Sequence, residues 1–98
     1  MKVEVSDQVL EFVKSQAPEP RRRLRLALRK LASEHGDITS LEGPLRGYLR
    51  LRVGPYRVLL AYGTDAGRPK RLRCLFAERR DIVYEIFSRM LQDRILEE

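Results

Sequence analysis

The sequence predicts an α+β fold of order β-α-α-β-β-β-α, with an antiparallel sheet packed against helices. Three observations lead there. Residues 45–62 alternate apolar and polar side chains about a Gly54-Pro55 break, the pattern of a β-hairpin. Residues 70–77 repeat the alternation. Leu24, Ala27, Leu28 and Leu31 follow the i, i+3, i+4, i+7 spacing of an amphipathic helix, and Ile82, Ile86, Phe87, Met90 and Leu91 form a second stripe. An antiparallel sheet with one side covered by helices accommodates all of these. The 98 residues fit one domain over 1–98.

Taken in order, Met1 to Val5 alternates weakly, as a short strand does. Ser6 or Asp7 is suited to cap a helix running to about Gln16, with Val9, Leu10, Phe12 and Val13 as its apolar side. Pro18 and Pro20 interrupt that pattern. A second helix is expected from near Pro20 to before Gly36, with Glu19 complementing its dipole and Gly36 stopping it. Arg21, Arg22 and Arg23 crowd the positive end of this helix, so they face solvent or an acidic partner.

Asp37 to Gly43 reads as a loop. Strands follow at Leu45–Val53, Tyr56–Tyr62 and Lys70–Ala77, with a polar turn from Gly63 to Pro69. In the first pair Val53 should oppose Tyr56 and Arg52 should oppose Arg57. Tyr56, Val58, Leu60 and Tyr62 then share the inner side with Leu49 and Leu51. In the last strand Leu72, Cys74 and Phe76 alternate with Arg71, Arg73 and Leu75. The final helix is expected over Arg80–Leu96, with Asp81 near its cap.

The formal charge is +6, from 20 Lys and Arg against 14 Asp and Glu, and arginine far outnumbers lysine. Arginine favours bidentate contacts to phosphate or carboxylate and stacks on bases. The hairpin register gathers Arg50, Arg52 and Arg57 on one side of the sheet, with Tyr48 beside them. Three guanidiniums there repel one another, and an anion on that side would relieve the repulsion. A nucleic-acid backbone or an acidic protein fits.

Other chemistry is absent. One histidine, His35, and one cysteine, Cys74, make neither a usual zinc set nor an intrachain disulfide. There is no glycine-rich phosphate loop and no nucleophile elbow. His35 reads as a surface residue at a helix end and Cys74 as a small core residue. No apolar run reaches the length of a membrane span and no apolar leader opens the chain, so an intracellular, cytoplasmic protein is expected. An all-arginine site can cleave RNA without a metal, provided a base takes the 2′-hydroxyl proton, cations stabilise the phosphorane and an acid protonates the leaving oxygen. Arginine suits the middle role. Tyr84, Tyr48 or Glu78 would assist with protons.

At Leu45-Arg-Gly-Tyr-Leu-Arg-Leu-Arg-Val-Gly-Pro-Tyr-Arg-Val-Leu-Leu-Ala-Tyr62 and at Glu78-Arg-Arg-Asp-Ile-Val-Tyr84 the chain resembles the RelE/ParE superfamily of bacterial toxin–antitoxin toxins. The resemblance spans nearly the whole chain. It implies a RelE/ParE-like fold, a cognate antitoxin partner and no metal or organic cofactor. It also implies one of two activities, ribosome-dependent cleavage of messenger RNA or poisoning of DNA gyrase. A third alternative is a degenerate member that binds RNA or protein without catalysis. Carried onto this chain, the catalytic positions are Arg50, Arg57, Arg79 and Tyr84; Tyr48, Arg52, Arg73 and Arg80 are the further candidate RNA contacts. Two positions depart from the pattern. Glu78 stands six residues before Tyr84, where the family has an arginine, so Arg79 or Arg80 would replace it. Tyr48 stands where a basic residue is usual.

Overall fold

A computed structural model describes residues 1–97. It contains β1 (Lys2–Val5), α1 (Asp7–Ser15), α2 (Pro18–Lys30), β2 (Ile38–Ser40), β3 (Leu49–Val53), β4 (Tyr56–Asp65), β5 (Arg68–Arg79) and α3 (Val83–Glu97). Single 3₁₀ turns occupy Leu31–Ser33 and Gly43–Leu45.

Ser6 caps α1. Its hydroxyl accepts from the Val9 N–H at 3.2 Å and donates to the Leu75 carbonyl at 2.9 Å, which fixes the helix start against the sheet. α2 begins at Pro18, two residues earlier than expected, because a proline at the first helical position has its φ already set. Arg21 donates to the Gln16 carbonyl at 3.0 Å and closes the corner between α1 and α2. Arg22 pairs with Glu19 at 3.1 Å. Local acceptors therefore occupy two of the three crowded arginines.

The five strands run in the order β1-β5-β4-β3-β2. β2 to β5 pair antiparallel, whereas β1 pairs parallel with β5, Val3 opposite Leu72 and Val5 opposite Cys74. The sheet is thus mixed, which corrects the all-antiparallel expectation. No short hairpin joins β1 to β5, so their mutual direction is set by where α1 and α2 carry the chain. β2 lies inside the expected loop. Ile38, Thr39 and Ser40 oppose Leu51, Arg50 and Leu49, a ladder too short to print a periodicity.

The β3–β4 hairpin has the register read from sequence, Val53 opposite Tyr56 and Arg52 opposite Arg57. Gly54 takes φ +58°, as the first central position of a type II′ turn requires. The β4–β5 hairpin is longer than expected. Its strands close on Ala66 and Gly67, at φ +52° and +79°, the signs of a type I′ turn.

A bulge decides the layering. Leu60 pairs with Cys74 but Leu59 pairs with Phe76, leaving Leu75 as the extra residue on β5. Leu72 and Cys74 therefore point to one side of the sheet and Phe76 to the other, correcting the expectation that the three share a side. Each side has its own core. Leu51, Val58, Leu60, Leu72 and Cys74 pack with Val9 and Val13 of α1 and Leu24 of α2. On the opposite side Leu59 and Phe76 pack with Leu45 and with Val83 and Phe87 of α3. Helices thus cover both sides, not one. Each fully buried leucine contributes roughly 1.5–3 kcal/mol to this arrangement. Tyr62, expected in the core, lies toward the β4–β5 turn and is 45% exposed. Cys74 is buried as expected, and burial pushes its thiol up to about 12. Among the described residues no helix is long and apolar enough to cross a membrane.

Candidate nucleic-acid interface

α3 covers only part of its side of the sheet. Beyond its first turn the strands end in charged residues. Asp37 precedes β2, and its carbonyl accepts from the Arg52 N–H at 3.0 Å, which extends the β2–β3 ladder by one position. Arg52 opposes Arg57, and Arg57 opposes Glu78. Four ionisable residues, Asp37, Arg52, Arg57 and Glu78, thus stand in one row across four chain segments. Strand spacing makes the row about 14 Å long. Its ends are acidic and its middle is basic. Arg50 stands one pair inward, between Thr39 and Leu59.

Two guanidiniums on directly opposed residues repel, and the row relieves that by drawing them apart. Arg52 Nε lies 3.5 Å from Asp37 Oδ2. Arg57 Nη1 turns the other way and donates to the Gly54 and Tyr56 carbonyls at 2.9 and 2.8 Å, bracing the hairpin turn. Arg50 has 22% of its side chain exposed and Nη1 4.0 Å from Asp37 Oδ1. That Nη1 is buried and has no hydrogen-bond partner among the described residues. Glu78 is half-buried, and its Oε1 accepts from the Arg79 N–H at 3.0 Å.

The remaining candidates divide. Tyr84, in the first turn of α3, is half-buried against the cluster containing Leu59, the residue paired with Arg50. Tyr48 is half-buried with its ring edge-on to Phe87 at 5.1 Å, so much of it belongs to the core beneath α3. Arg73 is exposed, between Glu4 of β1 and Ala61 of β4. Alternation gives it the same side as the row, some distance along β5, in a groove of about 260 Å³ with Tyr48, Phe87 and Arg94. Arg79 opposes Tyr56 and so falls on the opposite side from Arg57. That placement corrects the expectation of Arg79 beside Arg57. The Arg80 N–H donates to the Pro55 carbonyl at 2.9 Å, continuing the ladder and returning the alternation to the Arg57 side. Asp37 was missed from sequence, where it read as the first residue of a loop. Its only signal was an acid just before two β-favouring residues.

No protein-family model matches the chain, and no curated protein matches it. Solved structures do. A YoeB/ParE toxin from Agrobacterium tumefaciens superposes with a TM-score of 0.61 at 16% identity, over 82% of this chain and 99% of that one. The archaeal RelE-RelB complex from Pyrococcus horikoshii gives 0.61 at 25% identity, over 81% and 93%. The RelB-RelE antitoxin-toxin complex from Methanococcus jannaschii gives 0.61 at 18% identity, over 84% and 95%. The chain shares the fold of these RelE/ParE-type toxins. On this RelE/ParE fold the hairpin following Arg50 and Arg52, the end of β5 and the first turn of α3 meet around one open corner of the sheet. Arg50, Arg52, Arg57, Glu78 and Tyr84 are the candidate residues gathered there.

Proposed function

We propose that this protein is the toxin of a toxin–antitoxin pair and cleaves messenger RNA on the ribosome without a metal. The observation carrying this is the cross-strand row in which Arg52 opposes Arg57 and Arg57 opposes Glu78, with Arg50 one pair inward. A phosphodiester over Arg52 and Arg57 would meet positive charge from both strands of the hairpin. Glu78, at its edge, is the one carboxylate paired directly with Arg57 and is the base this arrangement favours. It would take the proton from the 2′-hydroxyl as that oxygen bonds to phosphorus. Arg52 and Arg57 would stabilise the charge developing on the phosphorane oxygens. Cleavage of the P–O5′ bond then leaves a 2′,3′-cyclic phosphate on one fragment and a 5′-hydroxyl on the other. Tyr84 would stack on a neighbouring base or relay a proton to the leaving oxygen. The ribosome would orient the message, and a cognate antitoxin would block the corner when toxicity is not wanted.

Mapping messenger RNA ends at ribosomes in a translating bacterial extract tests this, with and without Arg57→Ala. Cuts in the decoding site that vanish in the variant are expected. Intact messages with the unaltered protein would overturn the nuclease reading.

One observation favours a second reading, gyrase poisoning without chemistry. Arg57 already spends two donors on its own turn. Inhibition of DNA supercoiling together with intact messages would establish it.

A further inference from the structure

The charged row carries its own anion at the β2 end. Asp37 is shared by two guanidiniums, Arg52 Nε at 3.5 Å and Arg50 Nη1 at 4.0 Å. Neither approach is the close contact of a strong charge-assisted pair, which lies near 2.7–2.9 Å. Arg50 Nη1 is at the same time shut off from solvent with no acceptor among the described residues. A buried charged donor without an acceptor costs free energy, and an arriving oxygen that fits between the two arginines recovers it. Glu78, at the other end of the row, is not equivalent, since a backbone N–H rather than a guanidinium holds its carboxylate.

Resting on the reading of this corner as a phosphate site, we propose that Asp37 is a positioning residue acting as a built-in counter-ion. It keeps Arg50 and Arg52 extended over the sheet while the site is empty and competes with an RNA phosphate for them. The incoming phosphodiester oxygen displaces Asp37 from the exposed Arg52, and the Arg50 guanidinium must turn outward from its buried position to share that oxygen. Asp37 thereby sets how tightly the corner holds RNA.

Asp37→Asn removes the charge and keeps the shape. Inorganic phosphate is titrated into both proteins and followed on the arginine side-chain N–H resonances. Phosphate should bind Asp37→Asn about two- to fivefold more tightly, the range an exposed ion pair is worth. Asp37→Glu should return affinity to the starting value. For a short single-stranded RNA, the slope of log affinity against log salt should steepen by about 0.7, one more uncompensated cation. Equal or weaker phosphate binding by Asp37→Asn, with an unchanged backbone amide spectrum, overturns the proposal. Loss of folding in both Asp37→Asn and Asp37→Ser overturns it too, because Asp37 is then a structural prop. Tighter phosphate binding with messages left intact at ribosomes by both proteins leaves the counter-ion role standing and removes the nuclease reading instead.

Discussion

The two sides of the sheet use the same hairpin differently. Toward α1 and α2, Leu51, Val58 and Leu60 are almost wholly buried and no charged side chain is buried among them, Tyr56 and the thiol of Cys74 being the polar members of that core among the described residues. Toward α3, apolar packing stops at Leu59 and Phe76, and the next residues out are Arg50, Arg52, Arg57 and Glu78. One side is closed by two helices, and the other is closed by one helix only as far as its first turn. An antiparallel ladder delivers alternate residues to each side, so the hairpin that seals a core also displays its intervening residues as a charged corner. The buried core and the charged corner are thereby separated by alternation within single strands.

Glu78→Gln should separate them most sharply. Losing a general base costs about 10²–10⁴-fold in cleavage rate, while the denaturation midpoint should stay nearly constant. Equal losses of activity and stability would show that Glu78 serves the fold. Leu59→Ala and Leu60→Ala test whether both sides are true cores. These residues adjoin in sequence, face opposite ways and are both fully buried, so each should lower unfolding free energy by about 2–5 kcal/mol in urea titrations. A cost below about 1 kcal/mol for Leu59→Ala alone would mean that α3 lies loosely on its patch. Arg80→Ala should weaken RNA binding several-fold more than Arg79→Ala, because Arg79 shares a side with Tyr56. The reverse order, measured by fluorescence anisotropy at fixed salt, would show that the alternation breaks down at the strand end. The last prediction concerns the closed side. The folded thiol of Cys74 is raised from 9.0 to about 12, so an unfolded chain ionises where the folded one does not. Stability should decline as pH rises from 9.0 toward about 12, and Cys74→Ala should decline less over that window.

The hairpin was legible because its signals are local. Alternation, a Gly-Pro break and a two-residue turn fix which residues oppose one another, so the sequence alone places Arg50, Arg52 and Arg57 on one side. The helix periods of α1 and α2 were legible for the same reason, and Ser6 was already one of two cap candidates. What failed was non-local. The direction of β1 depends on pairing with β5, about seventy positions away (Val3 with Leu72). β2 is defined only by its partner β3, and with it went the role of Asp37. The final helix begins at Val83 rather than Arg80, because Arg80 still bonds to the hairpin turn through its N–H. The edge-on packing of Tyr48 against Phe87 of α3 is likewise announced by nothing local.

The unpaired Leu75 works like a frameshift in the side-chain pattern of its strand. Just upstream of it Leu72 and Cys74 face α1 and α2, and downstream Phe76 and Glu78 face the α3 side. Without it Ala77, not Glu78, would stand opposite Arg57. Counting residues back from Tyr84 therefore names a position in the chain but not a direction in space. Two sequences of this fold that align without gaps over β5 would offer different residues to the same corner, a carboxylate in one and a methyl in the other, if only one of them slips phase at this point.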